Sequence, residues 1–186
     1  MIIVCSLSDL VDVCESIKPK YLISVIDPGY EPETPKFVQK HLKLGFDDII
    51  KISSDNNIFR LNTKEIPQLP PNHFHIDSIT QFTNTWNVKE DIVIHCWCGV
   101  SRSMATAIYL MCKKNMEDID NNIKYIRSIA PHANPNKLLI KLFEENLGTN
   151  GEIAKSLEKY PYTKTYDCSS NFAPITLFKY EEMINY

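Results

Sequence analysis

A chain of 186 residues, 44% of them apolar, has the size of one domain and enough apolar side chains for a continuous core. Its net charge of -3, with lysines scattered singly or in pairs, offers no basic stripe for nucleic-acid phosphates. The opening MIIVCSLSDLVDVC lacks a secretory leader's basic start, no segment reaches membrane-span length, and six cysteines are spread over a chain that needs no staples. A cytoplasmic protein with reduced thiols and no nucleic-acid or membrane partner is expected.

Met1 to Cys5 is apolar enough for a buried strand. SLSDLVDVCESI follows as a helix, with Ser6 or Ser8 as N-cap and Leu7, Leu10, Val11 and Cys14 on one face. Tyr21 to Asp27 (YLISVID) is a second buried strand, closed by the Pro28-Gly29 turn, and the EPETPKF stretch after it is Pro-rich loop. In HLKLGF, Leu42, Leu44 and Phe46 alternate, predicting a third, partly exposed strand that delivers Asp47 and Asp48 at its end. Residues 51–72 are polar and end in PQLPPN, the pattern of a long surface excursion.

Ile76, Ile79, Phe82 and Trp86 recur at helical spacing and predict a helix from about Pro71 to Asn87. Asp91 to His95 (DIVIH) is the plainest buried strand, and it runs directly into CWCGVSRS. Beyond that loop, Met104, Ala107, Ile108, Met111 and Cys112 predict a helix starting near Ser101 or Arg102 and ending around Lys114. Three more helices are predicted: Glu117 to Ala130, Pro135 to Leu147 with Pro135 in its first turn, and Gly151 to about Lys159. The tail from Tyr160 is aromatic and irregular. The alternation implies an α/β fold: a central, mainly parallel twisted sheet of four or five strands flanked by helices, with residues 1–159 as one domain and 160–186 as a tail. Ligands of such sheets bind beyond the carboxyl ends of the strands, where CWCGVSRS lies.

His95, Cys96, Gly99, Arg102 and Ser103 form the pattern H-C-x5-R-S between a buried strand and a helix N-terminus. A loop of that length can turn successive backbone N–H groups inward and, with the helix dipole behind them, make a concave anion site from Trp97, Cys98, Gly99, Val100, Ser101 and Arg102. The same field stabilises a thiolate, which makes Cys96 a nucleophile. Arg102 can span two phosphate oxygens, a bidentate contact that Lys does not reproduce, and only two other arginines, Arg60 and Arg127, occur in the chain. Gly99 permits the angles of a tight loop, Ser103 can donate its hydroxyl to the sulfur, and His95 orients the loop backbone rather than acting as a base. The bland alternative is a buried Cys and His ending a strand, with a helix cap that binds nothing. His95, Cys96 and Cys98 are poorly spaced for zinc, and His73 and His75 face apart on a helix, so no metal is expected.

HCWCGVSRS resembles the signature of the cysteine-based protein tyrosine phosphatases. VIHCWCGVSRSMATA, with the later PHANPNKLL, is most similar to a compact bacterial tyrosine-phosphatase-like branch near the dual-specificity enzymes, over roughly residues 1–147. The resemblance implies a phosphatase-like fold, phosphate in the loop from Cys96 to Arg102, and an upstream carboxyl group that protonates the leaving oxygen. LGFDDI matches that segment, with Asp48 the better counterpart, Asp47 the alternative, and a solvated turn carboxylate the third reading. Two departures stand out. The stretch from Asp48 to Cys96 is longer than in the smallest dual-specificity enzymes, and Cys98 replaces a residue that is often Ala or Gly. Cys98 reads as a small hydrophobe; a disulfide with Cys96 across so short a ring would be strained.

The implied reaction is hydrolysis of phosphotyrosine, with phosphoserine and phosphothreonine open, on a phosphorylated protein or peptide and without a cofactor. Two other readings use the same loop: a catalytically slow module that captures phosphotyrosine, and a rhodanese-like sulfurtransferase, whose loops are usually shorter. Trp97 lines the entrance or simply covers the loop.

Overall fold

The computed structural model of the chain describes residues 1–52, 67–166 and 172–186. Its apolar runs become β1 (Ile2–Cys5), β2 (Tyr21–Ile26), β3 (Lys40–Gly45), β4 (Ile92–His95) and, from the tail, β5 (Thr176–Phe178). They lie side by side in the order β3-β2-β4-β1-β5. The first four run parallel, with Ser24 opposite His95 and Ile26 opposite Gly45, and β5 closes the edge antiparallel to β1. The expected α/β architecture is the one observed.

Among the described residues seven helices accompany the strands: α1 (Leu10–Ile17), α2 (His73–Asn84), α3 (Arg102–Lys114), α4 (Ile119–Ile129), α5 (Lys137–Leu147), α6 (Glu152–Lys159) and α7 (Tyr180–Met183). Successive strand residues point to opposite faces. Ile2, Val4, Ile23, Val25, Ile92 and Ile94 therefore pack with α2 to α7, whereas Ile3, Cys5, Leu22 and Val93 pack with Leu10, Val13 and Cys14 of α1. Burial on both faces is why these strands read as continuous apolar runs rather than alternating ones. Helix α3 lies at the centre, and every residue from Arg102 to Cys112 is buried. Among the described residues no helix is long and apolar enough to cross a membrane.

Several helix starts differ from expectation because a side chain intervenes; α4, for one, begins at Ile119 rather than Glu117, capped by Asp118, which accepts the Asn121 N–H at 3.0 Å. The N-cap of α1 is Asp9, not Ser6 or Ser8; Ser6 Oγ instead accepts the Asp9 N–H at 3.2 Å and shapes the turn before the helix. Helix α2 is shorter than Pro71 to Asn87. Asn72 caps it by accepting from the Phe74 N–H at 3.0 Å, and Trp86 lies beyond its end, donating its indole N–H to the Glu90 carbonyl at 2.9 Å. Pro135 precedes α5 rather than opening it, because Asn136 accepts the Leu139 N–H at 3.0 Å and is the cap. Most of the polar excursion at 51–72 lies outside the described residues.

Candidate active site

Parallel pairing brings the carboxyl ends of β4, β2 and β3 together, and the candidate side chains leave from those ends. The β4 exit is the loop from Cys96 to Ser101. Cys96 is buried, its Sγ accepts the Gly99 N–H at 3.3 Å, and Ser103 Oγ stands 3.1 Å from it. Two carbonyls of the loop are engaged outside: Trp97 C=O accepts from the Leu7 N–H and Val100 C=O from the Asn134 N–H, both at 3.1 Å. Carbonyl and N–H of one trans peptide point in opposite directions, so the amides of Cys98 and Ser101 point away from Leu7 and Asn134. Gly99 has φ +73°, and a Cβ there would stand 3.1 Å from the Cys5 carbonyl carbon; the loop needs glycine for both reasons.

His95 is fully buried at the end of β4. Its Nδ1 lies 3.3 Å from the Cys96 carbonyl, which can only accept, so Nδ1 carries the proton and Nε2 accepts from Ser24 Oγ at 2.6 Å. The chain of contacts continues from Ser24 Oγ to His41 Nε2 at 2.7 Å and from His41 Nδ1 to Thr34 Oγ1 at 2.9 Å. Burial, reinforced by the Arg102 charge, pushes the His95 pKa down to about 4 against the Cys96 hydrogen bond. Burial brings His41 to about 4 as well, with Lys43 adding to the shift.

Arg102 enters from the first turn of α3 and is almost wholly buried. Its Nη1 donates to Asp27 Oδ1 and to the Phe46 carbonyl, each at 2.6 Å. Its Nε is buried without a hydrogen-bond partner and lies 3.8 Å from Asp48 Oδ2. Asp48, at the exit of β3, is partly exposed, and its Oδ1 accepts from Ser101 Oγ at 2.8 Å and from Asn136 Nδ2 at 2.7 Å. Asp47 is fully buried and accepts the Leu69 N–H at 2.6 Å, tying down the strand-exit segment.

The structure thus gathers His95, Cys96, the 97–101 loop, Arg102, Ser103 and Asp48 at one place and turns Asp47 toward Leu69. Three contributors were not singled out from sequence: Asp27, which holds Arg102; Asn136, which holds Asp48; and Ser24, which holds His95. From sequence, Ser24 and Asp27 read only as part of the YLISVID strand, and Asn136 only as part of PHANPNKLL. Cys98 corrects the expectation of a plain small hydrophobe among reduced thiols, for it is disulfide-bonded. Cys5, Cys14, Cys96 and Cys112 are free, so Cys96 is not its partner, in keeping with the strain of so short a ring. Cys168 lies outside the described residues. Half-buried Trp97 packs its ring against Tyr30, centroids 5.4 Å apart. Among the described residues no three His, Cys, Asp or Glu side chains group as a metal site.

Residues 37–146 match the family described as the catalytic domain of dual specificity phosphatases. The chain belongs to the dual specificity phosphatase family. This family match leaves out β1, β2 and β5, which belong to the same sheet. A dual specificity protein phosphatase YVH1 from Plasmodium falciparum is 32% identical over 101 residues, covering 54% of this chain and 15% of that relative. The chain therefore corresponds to a small part of the curated relative's length. The Yvh1 phosphatase domain from Chaetomium thermophilum superposes with a TM-score of 0.56 at 17% identity, over 82% of this chain and 93% of that one. DUSP15 superposes with a TM-score of 0.58 at 14% identity, over 87% and 94% respectively. At such identities the two superpositions establish the fold shared with dual specificity phosphatases. The comparisons support the dual-specificity side of the sequence resemblance and give no support to a bacterial branch.

Proposed function

We propose that this dual specificity phosphatase chain hydrolyses phosphate monoesters of a phosphorylated protein or peptide through a phosphocysteine intermediate. The observation that carries the reading is the position of Cys96 Sγ, which accepts the Gly99 N–H at 3.3 Å and stands 3.1 Å from Ser103 Oγ within the loop that ends at Arg102. In this reading a phosphate dianion sits on the 97–101 amides, with Arg102 Nε and its neighbouring Nη2 spanning two oxygens. Cys96 attacks phosphorus in line while the ester oxygen departs, and Asp48 gives that oxygen its proton. Asp48, now a carboxylate, takes a proton from water as the water attacks the phosphocysteine. Inorganic phosphate forms and the thiolate returns, with Ser103 donating to the departing sulfur.

Support for Asp48 over Asp47 comes from its partial exposure and its grip by Ser101 and Asn136 beside the loop. The Tyr30–Trp97 ring pair favours phosphotyrosine by offering apolar surface to a phenyl ring, and the absence of lysine between Cys96 and Arg102 argues against a heavily charged phosphoinositide. Residues 1–159 carry the reaction in this reading, and 160–186 form a tail that adds β5. Turnover of para-nitrophenyl phosphate in the presence of a chelator tests the mechanism. Cys96→Ser abolishes turnover and Asp48→Asn slows it roughly 100-fold or more. Undiminished activity of Cys96→Ser would overturn the mechanism, and a panel of phosphotyrosine and phosphoserine peptides measures the preference.

A further inference from the structure

Arg102 and Asp27 form an ion pair at 2.6 Å with side chains only 3% and 4% exposed. Burying two charges costs so much solvation that such a pair is weak evidence of stabilisation, and an apolar pair of similar volume often serves a core as well. What the pair does fix is direction. Asp27 and the Phe46 carbonyl both hold Nη1, at the exits of neighbouring strands β2 and β3. The covalent geometry of a guanidinium then leaves the opposite edge, Nε with Nη2, as the fork, and Nε is buried, makes no hydrogen bond, and has only Asp48 Oδ2 near it, at 3.8 Å. The turn that Asp27 begins also reaches the other end of the loop. Tyr30 donates its N–H to the Asp27 carbonyl at 3.1 Å and lays its ring against Trp97, the residue after Cys96.

We infer that Asp27 is the positioning residue of this site: it holds Arg102 by Nη1 so that the Nε/Nη2 edge faces the anion before substrate arrives. The inference rests on the phosphate-binding role proposed for Arg102. A preset fork spares the site the cost of ordering a long side chain when the anion binds, so the effect belongs in oxyanion affinity and in KM. Asp27 itself touches no substrate.

The test compares the full chain with Asp27→Asn and Arg102→Lys, using tungstate titration by calorimetry alongside para-nitrophenyl phosphate kinetics. In Asp27→Asn the tungstate Kd and the KM each rise about tenfold or more. A merely structural role would reduce the active fraction, lowering apparent kcat while leaving KM and the tungstate Kd unchanged. A folded Asp27→Asn with both constants within twofold of the parent, while Arg102→Lys weakens tungstate, overturns the inference and leaves the proposed function standing. Tungstate binding that is absent from the parent, or unaffected by Arg102→Lys, overturns both. Where Asp27→Asn lacks a cooperative melting transition, Asp27→Glu takes its place. It keeps the charge but displaces the fork by one methylene, so a severalfold rise in tungstate Kd supports the inference and an unchanged value overturns it.

Discussion

Asn136 donates its amide to Asp48 at 2.7 Å across 88 positions of sequence, while its own carbonyl oxygen caps α5. One side chain therefore couples the start of a helix to the orientation of the candidate acid.

Replacing Asn136 separates the two roles. Asn136→Asp keeps an acceptor for the cap but loses the donor to Asp48, whereas Asn136→Ala loses both and about 1 kcal/mol of stability. Both variants should lower kcat, and more for alkyl phosphates than for para-nitrophenyl phosphate, because a poor leaving group depends more on a placed proton. Equal slowing of both substrate types would show that Asn136 does not act through Asp48.

Thiol chemistry should single out one free cysteine. Burial raises Cys14 to about 11 and Cys112 to about 12, and it pushes Cys5 up as well, so all three remain protonated and inert at neutral pH. Brief iodoacetate treatment followed by peptide mapping is expected to find the label on Cys96, among the described free thiols, and tungstate should protect it. Label on Cys112 before Cys96 would contradict the loop's proposed role.

Acid should loosen the fold through His41 and His95. Both rings sit near a pKa of 4 in the folded chain, against 6.5 for an ordinary histidine. Below pH 6.5 the unfolded chain therefore binds more protons than the folded one, and the stability present above that value drains away as pH falls toward 4. Thermal melts across this interval should show a falling midpoint. His41→Gln, which keeps a donor for Ser24, should flatten the slope; an identical slope would remove His41 from the account.

Gly99→Ala should cost roughly 1–2 kcal/mol from the left-handed backbone alone. The close approach to Cys5 adds to that, and the loop amides shift with it. Activity should fall by more than the loss of folded protein explains, as measured by kcat per alkylatable Cys96. A Gly99→Ala variant with parental melting and turnover would refute this account of the loop.

The short-range features of this protein could be read directly from its sequence. The apolar runs of β1, β2 and β4, the helical spacing of α3 and the H-C-x5-R-S loop all lie within a few residues of one another, where spacing along the chain equals spacing in space. What surrounds the loop could not be read that way. Arg102 meets Asp27 and Phe46 over 75 and 56 positions, and Ser101 meets Asp48 over 53. Nothing in an isolated Asp-Pro-Gly turn says which cation it will hold, and nothing local predicts that Cys98 is bonded. Those relationships exist only because parallel pairing of β2, β3 and β4 puts three strand exits at one edge of the sheet, where buried charges must find partners.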